Sequence, residues 1–389
     1  MFIRRFFLIF FFFYKKLKLM HKSDLSIFLE LSDIPTTSFH ENRVSNYIKN
    51  KLNEFEIDFT EDEWGNIEVF IKGKKEQEVV FISHMDHPGF EIVERLGKNL
   101  YKARTLGGLP RLSDVENTKI KIYDKFSETK GNLKPYNESS SNDSRFKSSD
   151  RWLNSEFVSV NVELEEQNFP VPVVFDLPKP KISNDQIITP VADDLAGCAL
   201  ILEMLNSLKD SQNNYSIRGI FSRAEEVGLY GARLIAKSER INKNSIIVSI
   251  ETSSELPGAV SGSGPIIRTG DRATTFDNSG EIILLSSVKQ LISEDKEFLF
   301  QRQLMGLGGC EATAFSAFGY KVTGISLPLI NWHNANPEGK VEPERISITD
   351  YQNALNIMIG VGKLDIVNNN DYYKTLIDIP ADAERLRLS

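Results

Sequence analysis

Along residues 44–55, Val44, Tyr47, Ile48, Leu52 and Phe55 recur at three- and four-residue intervals, which predicts an amphipathic helix. Ser38, with Glu41 three residues on, resembles a capping box at its start. Trp64-Gly65-Asn66 predicts a turn into a strand at 67–71, and the unbroken apolar run 79–83 reads as a strand buried on both faces. From 96 to 187 the pattern changes to short alternating segments, among them 119–123, 158–164 and 171–175, with no long helix between them. Beyond 187 strands and helices alternate again. A helix carries Leu195, Cys198, Ala199, Leu202 and Leu205 on one face, followed by a strand at 216–221, a helix at 229–237 and a strand at 246–250. Then come a helix at 282–292, strands at 298–304 and 322–327, and a last helix opening at Ser347-x-x-Asp350 that turns Tyr351, Ala354, Leu355, Met358 and Ile359 inward. The fold class is α/β: a mixed central sheet flanked by helices, formed by 24–95 and 188–365 and split by a small inserted β domain at 96–187. Within the insertion the polar stretch 125–151 is expected to be a mobile loop. Residues 1–23 read as an N-terminal extension and 366–389 as a C-terminal tail.

Composition narrows the partners. With 389 residues, 41% of them hydrophobic, the chain can bury a large core. A net charge of −8 with scattered Lys and Arg argues against a nucleic-acid partner, which would need a concentrated basic surface. The only cysteines, Cys198 and Cys310, imply no disulfide framework and suit a reducing, cytoplasmic setting. The aromatic run 6–14 among basic residues is shorter than the roughly 20 residues that span a bilayer, and no small-residue cleavage site follows it. Residues 1–19 are therefore read as a spurious or poorly ordered extension, with Met20 the true start; membrane contact by residues 1–18 is the competing reading. Asn137 and Asn142 head Asn-x-Ser sequons that matter only in a secreted protein.

An α/β fold collects its chemistry at strand ends. His84-Met85-Asp86 follows the apolar run 79–83; a histidine there can bind a metal through one ring nitrogen while a carboxylate two residues on receives the other N–H. Alone, the triplet is equally an ordinary polar strand end. Asp193-Asp194 stands at a strand–helix junction, where a carboxylate can bridge two cations or simply cap the helix. Glu225-Glu226 follows 216–221; adjacent carboxylates repel unless a cation holds one and leaves the other to take a proton from water. The bland reading is a solvated acidic turn. Glu251 ends the apolar run 246–250, and His333 lies in Asn331-Trp332-His333-Asn334. Together these residues suffice for a hydrolytic site with two metals.

The segments HMDHPGF (84–90), PVADDLAG (190–197), AEEVGLYGA (224–232), SIET (249–252), GSGP (262–265), GLGGCEA (306–312) and WH (332–333) resemble, in order and spacing, the tetrahedral aminopeptidases. These are also called glutamyl or deblocking aminopeptidases, within the clan of co-catalytic zinc exopeptidases. The resemblance implies that His84 and Glu251 hold one metal, Glu226 and His333 the other, with Asp193 bridging. Asp86 would orient His84, and Glu225 would be the general base that deprotonates the attacking water and then protonates the leaving amine. It also implies peptide substrates cleaved from the N-terminus, a peptide bond between Asp193 and Asp194 that is often cis, and a homo-oligomer dimerising through the inserted domain. His87 stands where the family usually has Glu, and a supporting or pocket role is expected of it. Glu251 replaces the commoner Asp, Leu195 the usual Arg, and Cys310-Glu311 a Thr-Asp pair, so Gly309, Cys310 and Glu311 are expected to bear on substrate preference.

Rival readings are another amidohydrolase of the clan (a carboxypeptidase, dipeptidase or deacylase) and a catalytically silent peptide-binding scaffold. The first would need a basic residue aimed at a substrate carboxylate, for which Arg268 and Arg272 are candidates. The second would have no chemical reason to keep Glu225. His and carboxylate ligands suit Zn, Co and Mn alike, with Zn the expectation.

Overall fold

The computed structural model describes residues 25–111, 118–124, 127–134, 136, 153, 155–164, 168–365 and 372–388. The extension 1–23 and nearly all of 137–154, with both sequons, lie outside them. The chain opens with α1 (Leu25–Leu31) and α2 (Asn42–Glu54), whose Val44, Ile48 and Leu52 face the core as their spacing predicts. Strands β1 (Phe59–Glu61), β2 (Ile67–Ile71) and β3 (Glu78–His84) follow, the last buried along its whole length.

Six strands then close into a barrel: β4 (Gly89–Arg95), β5 (Leu100–Leu106), β6 (Lys119–Tyr123), β7 (Glu128–Lys134), β8 (Phe157–Asn161) and β9 (Val171–Phe175). Alternate residues such as Ile120, Ile122, Leu133, Val158 and Val160 fill it. Here the sequence boundaries move. The barrel begins at Gly89, not 96. Residues 128–134, expected in a loop, form a strand, because this polar segment pairs its backbone with both β6 and β8 and needs few apolar side chains to do so. The stretch 181–189 leaves the barrel altogether: β10 (Lys181–Ser183) and β11 (Gln186–Thr189) form a small sheet with β17 (Glu344–Ser347).

The remaining elements are α3 (Leu195–Leu208), β12 (Ser216–Ser222), α4 (Tyr230–Ser238), β13 (Ile246–Ser254), β14 (Ile266–Asp271), α5 (Asn278–Glu294), β15 (Gln301–Met305), α6 (Glu311–Ala317), β16 (Lys321–Leu329) and α7 (Ile348–Lys363). A short α8 (Lys374–Ile377) and a 3₁₀ segment (Ala381–Leu388) occupy the tail. The eight-stranded sheet runs β1-β2-β12-β3-β13-β16-β14-β15, with β12, β3, β13 and β16 parallel in its centre and β14 antiparallel to β16. Helix α3, expected to bury one face, is buried on every side from Leu195 to Leu205, since it packs between the sheet and α1, α2 and α7. Ser347 caps α7 by accepting the Asp350 N–H, as its spacing predicts. Ser38 and Glu41 form no capping box: Glu41 makes no side-chain cap to α2, and both residues turn to the site below. No helix of the described residues is long and apolar enough to cross a membrane.

Candidate metal centre

His84 closes β3, and parallel pairing places it beside Ser222, the last residue of β12. The next turn of chain carries Glu225 and Glu226, so the sheet's centre delivers all three side chains to one edge. Glu251 comes from the adjacent β13, within the strand rather than at its end. Asp193 arrives on the segment leading into α3, through a cis bond to Asp194, and His333 on a 3₁₀ turn (Trp332–Asn334) after β16.

These side chains converge into overlapping groups whose ligand atoms lie within 4.8 Å of one another: His84, Asp193 and Glu251; Asp193, Glu226 and His333; and His84, Glu225 and Glu226. Asp193 is common to the first two. Its Oδ1 lies 3.6 Å from His84 Nε2 and its Oδ2 lies 3.4 Å from His333 Nε2. Each imidazole is pinned at its other nitrogen by a backbone carbonyl, His84 Nδ1 on Asp86 O (3.0 Å) and His333 Nδ1 on Gly108 O (2.8 Å). A carbonyl only accepts, so each Nδ1 carries a proton, and each Nε2 is turned toward an oxygen of Asp193.

His84 Nδ1 lies 3.0 Å from Asp86 O and 3.6 Å from Asp86 Oδ1, so Asp86 meets the ring through both its backbone and its carboxylate. The carboxylate accepts the Ser38 hydroxyl (2.6 Å) and the N–H groups of Glu225 (2.9 Å) and Glu226 (3.2 Å), fixing the turn that carries both glutamates. Behind it, buried Glu41 accepts the N–H of Ala224 and the guanidinium of Arg223, which holds Ala224 at a left-handed φ of 53°. Asp194 is the capping member of its pair: it accepts the Gly197 N–H and the Ser83 hydroxyl and is buried away from the ligands.

The electrostatics are those of a site short of positive charge. Burial works against a charged imidazole, yet Asp193, Asp86 and Glu225 around His84, and Glu226 and Asp193 around His333, hold both rings well above the usual histidine range. Burial likewise opposes a charged Asp193, but the imidazoles of His333 and His84 beside it pull it below the usual range. Glu225 is pushed well up by burial and by the charges of Glu226, Glu311 and Asp86, against the pull of His84. Burial and the charge of Glu311 do the same to Glu251. Asp193 Oδ1 and Glu251 Oε1 are buried without a hydrogen-bond partner among the described residues. Orphaned carboxylate oxygens beside two imidazole Nε2 atoms, which become ligands once deprotonated, fit divalent cations: His84, Glu251 and Asp193 would hold one, and Asp193, Glu226 and His333 a second.

The ligands line a cavity of about 900 Å³ between sheet and barrel, to which the barrel contributes Gly107 and Gly108. A Cβ at Gly108 would come within 3.0 Å of His333 Nδ1, so this glycine is what lets the barrel loop reach the ring.

The sequence matches the M42 glutamyl aminopeptidase family over residues 65–357. The chain belongs to that family. Its structure is similar to the TET1 peptidase of Pyrococcus horikoshii, described as assembling into a tetrahedron or a large octahedral shell (22% identity, TM-score 0.70, covering 88% of this chain and 99% of the other). It also resembles the TET aminopeptidase of a marine-sediment Thaumarchaeota archaeon (18% identity, TM-score 0.72, 88% and 97% covered). An aminopeptidase of the archaeon Desulfurococcus kamchatkensis is similar as well (17% identity, TM-score 0.71, 93% and 99% covered).

In this M42 member, Gly309 lines the cavity, whereas the other positions expected to bear on substrate do not. His87 lies behind the wall, with Nδ1 2.6 Å from Asp193 O and Nε2 3.1 Å from Asn334 Oδ1, so it steadies the backbone of the shared carboxylate. Glu311 is buried under the hydroxyls of Ser222 and Ser249. Cys310 is buried against Asp271, and burial pushes its thiol up to about 12, so it is no nucleophile. Two contributors escaped the sequence reading. Glu344 accepts the N–H groups of Ala192, Asp193 and His333, and the Trp332 indole donates to Asp193 Oδ2 at 2.7 Å. Glu344 carries no local signal, because it reaches Asp193 only once β11 and β17 pair, whereas Trp332 stood in the WH segment without a role.

Proposed function

We propose that the protein hydrolyses the bond after the free N-terminal residue of peptides, with Glu225 as general base. The observation that carries this reading is the Asp193 carboxylate facing an imidazole Nε2 on each side, with Glu225 alongside at 3.9 Å from His84 Nε2. Two divalent cations, Zn or its equivalents Co and Mn, would supply Lewis-acid polarisation of the scissile carbonyl and acidify the attacking water. The chain's own part is to position and to move protons. Glu225, raised above the usual carboxylate range, takes a proton from water on a carboxylate oxygen and hands it to the departing amine nitrogen. Asp86 keeps that carboxylate in place by holding the Glu225 N–H. The acidic wall, with Glu225, Glu226, Glu251 and Asp193, favours a substrate's free ammonium. Barrel residues Leu96, Leu100 and Phe169 expose apolar surface on which copies of the chain would associate.

The test is a panel of free and N-acetylated peptides with metal-loaded wild type and Glu225→Gln. Free peptides should be cleaved and blocked ones spared, with kcat in the variant down by about 10²- to 10⁴-fold at unchanged metal content by elemental analysis. Cleavage of blocked peptides alone, or full activity in the variant, would sink the proposal.

A further inference from the structure

Phe39 and Tyr230 line the same cavity as the candidate ligands. They are 46% and 45% exposed, whereas His84, Asp193 and Glu251 are 5% exposed or less. The two rings therefore stand at the mouth, and the ligands lie at the floor. Their centres are 6.0 Å apart and their planes are inclined at 40°, so they border one another without stacking face to face. Together they present an apolar ledge beside an otherwise acidic wall.

The backbone holds this ledge in place against its own preference. Phe39 has a left-handed φ of 71°, which a bulky side chain rarely adopts. It is locked there from both sides: its N–H donates to Glu41 Oε1 (3.1 Å), and its C=O accepts from Arg223 Nη2 (3.0 Å). Glu41 Oε1 also accepts the Ala224 N–H, and the Ala224 carbonyl accepts the Tyr230 N–H at 3.1 Å. Both aromatic residues are thus tied to the residue that precedes Glu225, and hydrogen bonds to the backbone set their place relative to the proposed base. Burial in the folded chain does not account for the arrangement, since each residue keeps close to half of its surface in water. Such rings still have apolar area to bury, and an apolar group of a bound peptide would cover it.

We propose that Phe39 and Tyr230 hold an apolar side chain of the residue following the scissile bond, giving the site a preference for peptides with a large apolar second residue. This rests on the peptidase reading above: a peptide whose free ammonium reaches the acidic floor leaves its second residue toward the mouth. Metal-loaded wild type, Phe39→Gly and Tyr230→Ala are compared on Ala-Phe amide, Phe-Ala amide and Ala-Ala amide. The readout is the kcat/KM of each phenylalanine peptide divided by that of Ala-Ala amide. The Ala-Phe ratio is expected to fall about 10-fold in each variant while the Phe-Ala ratio holds. Glycine accepts the left-handed backbone, so Phe39→Gly should keep the thermal midpoint of the wild type, separating loss of the ring from loss of the fold. An unchanged Ala-Phe ratio in Phe39→Gly, or in Tyr230→Ala should the first variant fail to fold, would overturn the proposal. A changed elution volume on size exclusion with that unchanged ratio would mark the rings as a contact between copies instead. A fall of the Phe-Ala ratio, alone or with the other, would also overturn it, because the rings would then face the first residue. A wild type that cleaves none of the three peptides with Zn, Co or Mn would overturn the peptidase reading and this one with it.

Discussion

Glu225 and Glu226 are chemically identical neighbours that the turn after β12 sends to different tasks. Asp86 accepts both backbone N–H groups, and the side chains then diverge, Glu226 to within 3.3 Å of His333 and Glu225 toward His84. The same dependence on surroundings governs cysteine. Cys310 would be a candidate nucleophile by its place in GLGGCEA, but burial, with Asp271 and Glu311 nearby, pushes the thiol up to about 12 despite the Arg268 charge. Native protein at pH 7.5 should therefore resist iodoacetamide at Cys310, with alkylation appearing only after denaturation, as read by peptide mass spectrometry.

At the level of elements, the start of α3 is a tight joint beside the site. Gly197 lies where a Cβ would meet Asp194 Oδ2 at 2.3 Å and Ser83 Oγ at 2.7 Å, both backed by strand and helix backbone. Gly197→Ala would raise helix propensity, but the clash dominates. The cost expected is about 1–3 kcal/mol in stability, seen as a lower thermal midpoint. Activity should fall as well, since moving Asp194 moves its neighbour Asp193 off the imidazoles. Glu41 and Arg223 tie a second joint, binding the N-terminal end of α2 to the turn of the two glutamates.

Across the whole molecule, the site is where sheet, barrel and the β11–β17 pair meet, and none of them forms it alone. His333 is held by Gly108 from the barrel side and by Glu344 from the small sheet. Acidic side chains crowded there repel one another until cations neutralise them, so metal is expected to act as a structural ligand too. Chelation followed by dialysis should lower the thermal midpoint and abolish peptide hydrolysis, and Zn, Co or Mn should restore both. With free metal at 100 times its dissociation constant, the restored stability is about 2.7 kcal/mol. An unchanged midpoint on chelation would show that these residues hold no metal in the folded protein.

The sequence by itself determined the α/β class, the succession of buried strands along the chain and the ligand-type residues. Buried strands write continuous apolar runs, and the polar residues that break them, His84, Asp193, Glu225, Glu226 and His333, stand out against that background. It also placed the inserted β segment, though not its edges. Residues 128–134 hide their strand because backbone pairing between two neighbours, not side-chain pattern, makes it. Only the tertiary structure decided which groups touch. It made Asp86 a holder of backbone N–H groups, Asp194 a cap, His87 and Glu344 supports for Asp193, and Cys310 an inert core residue. Apart from the cap and the cysteine, those roles rest on contacts between segments more than 100 residues apart, such as Glu344 with Asp193 and Asp86 with Glu225. No local period or spacing encodes such contacts; they arise when the sheet closes.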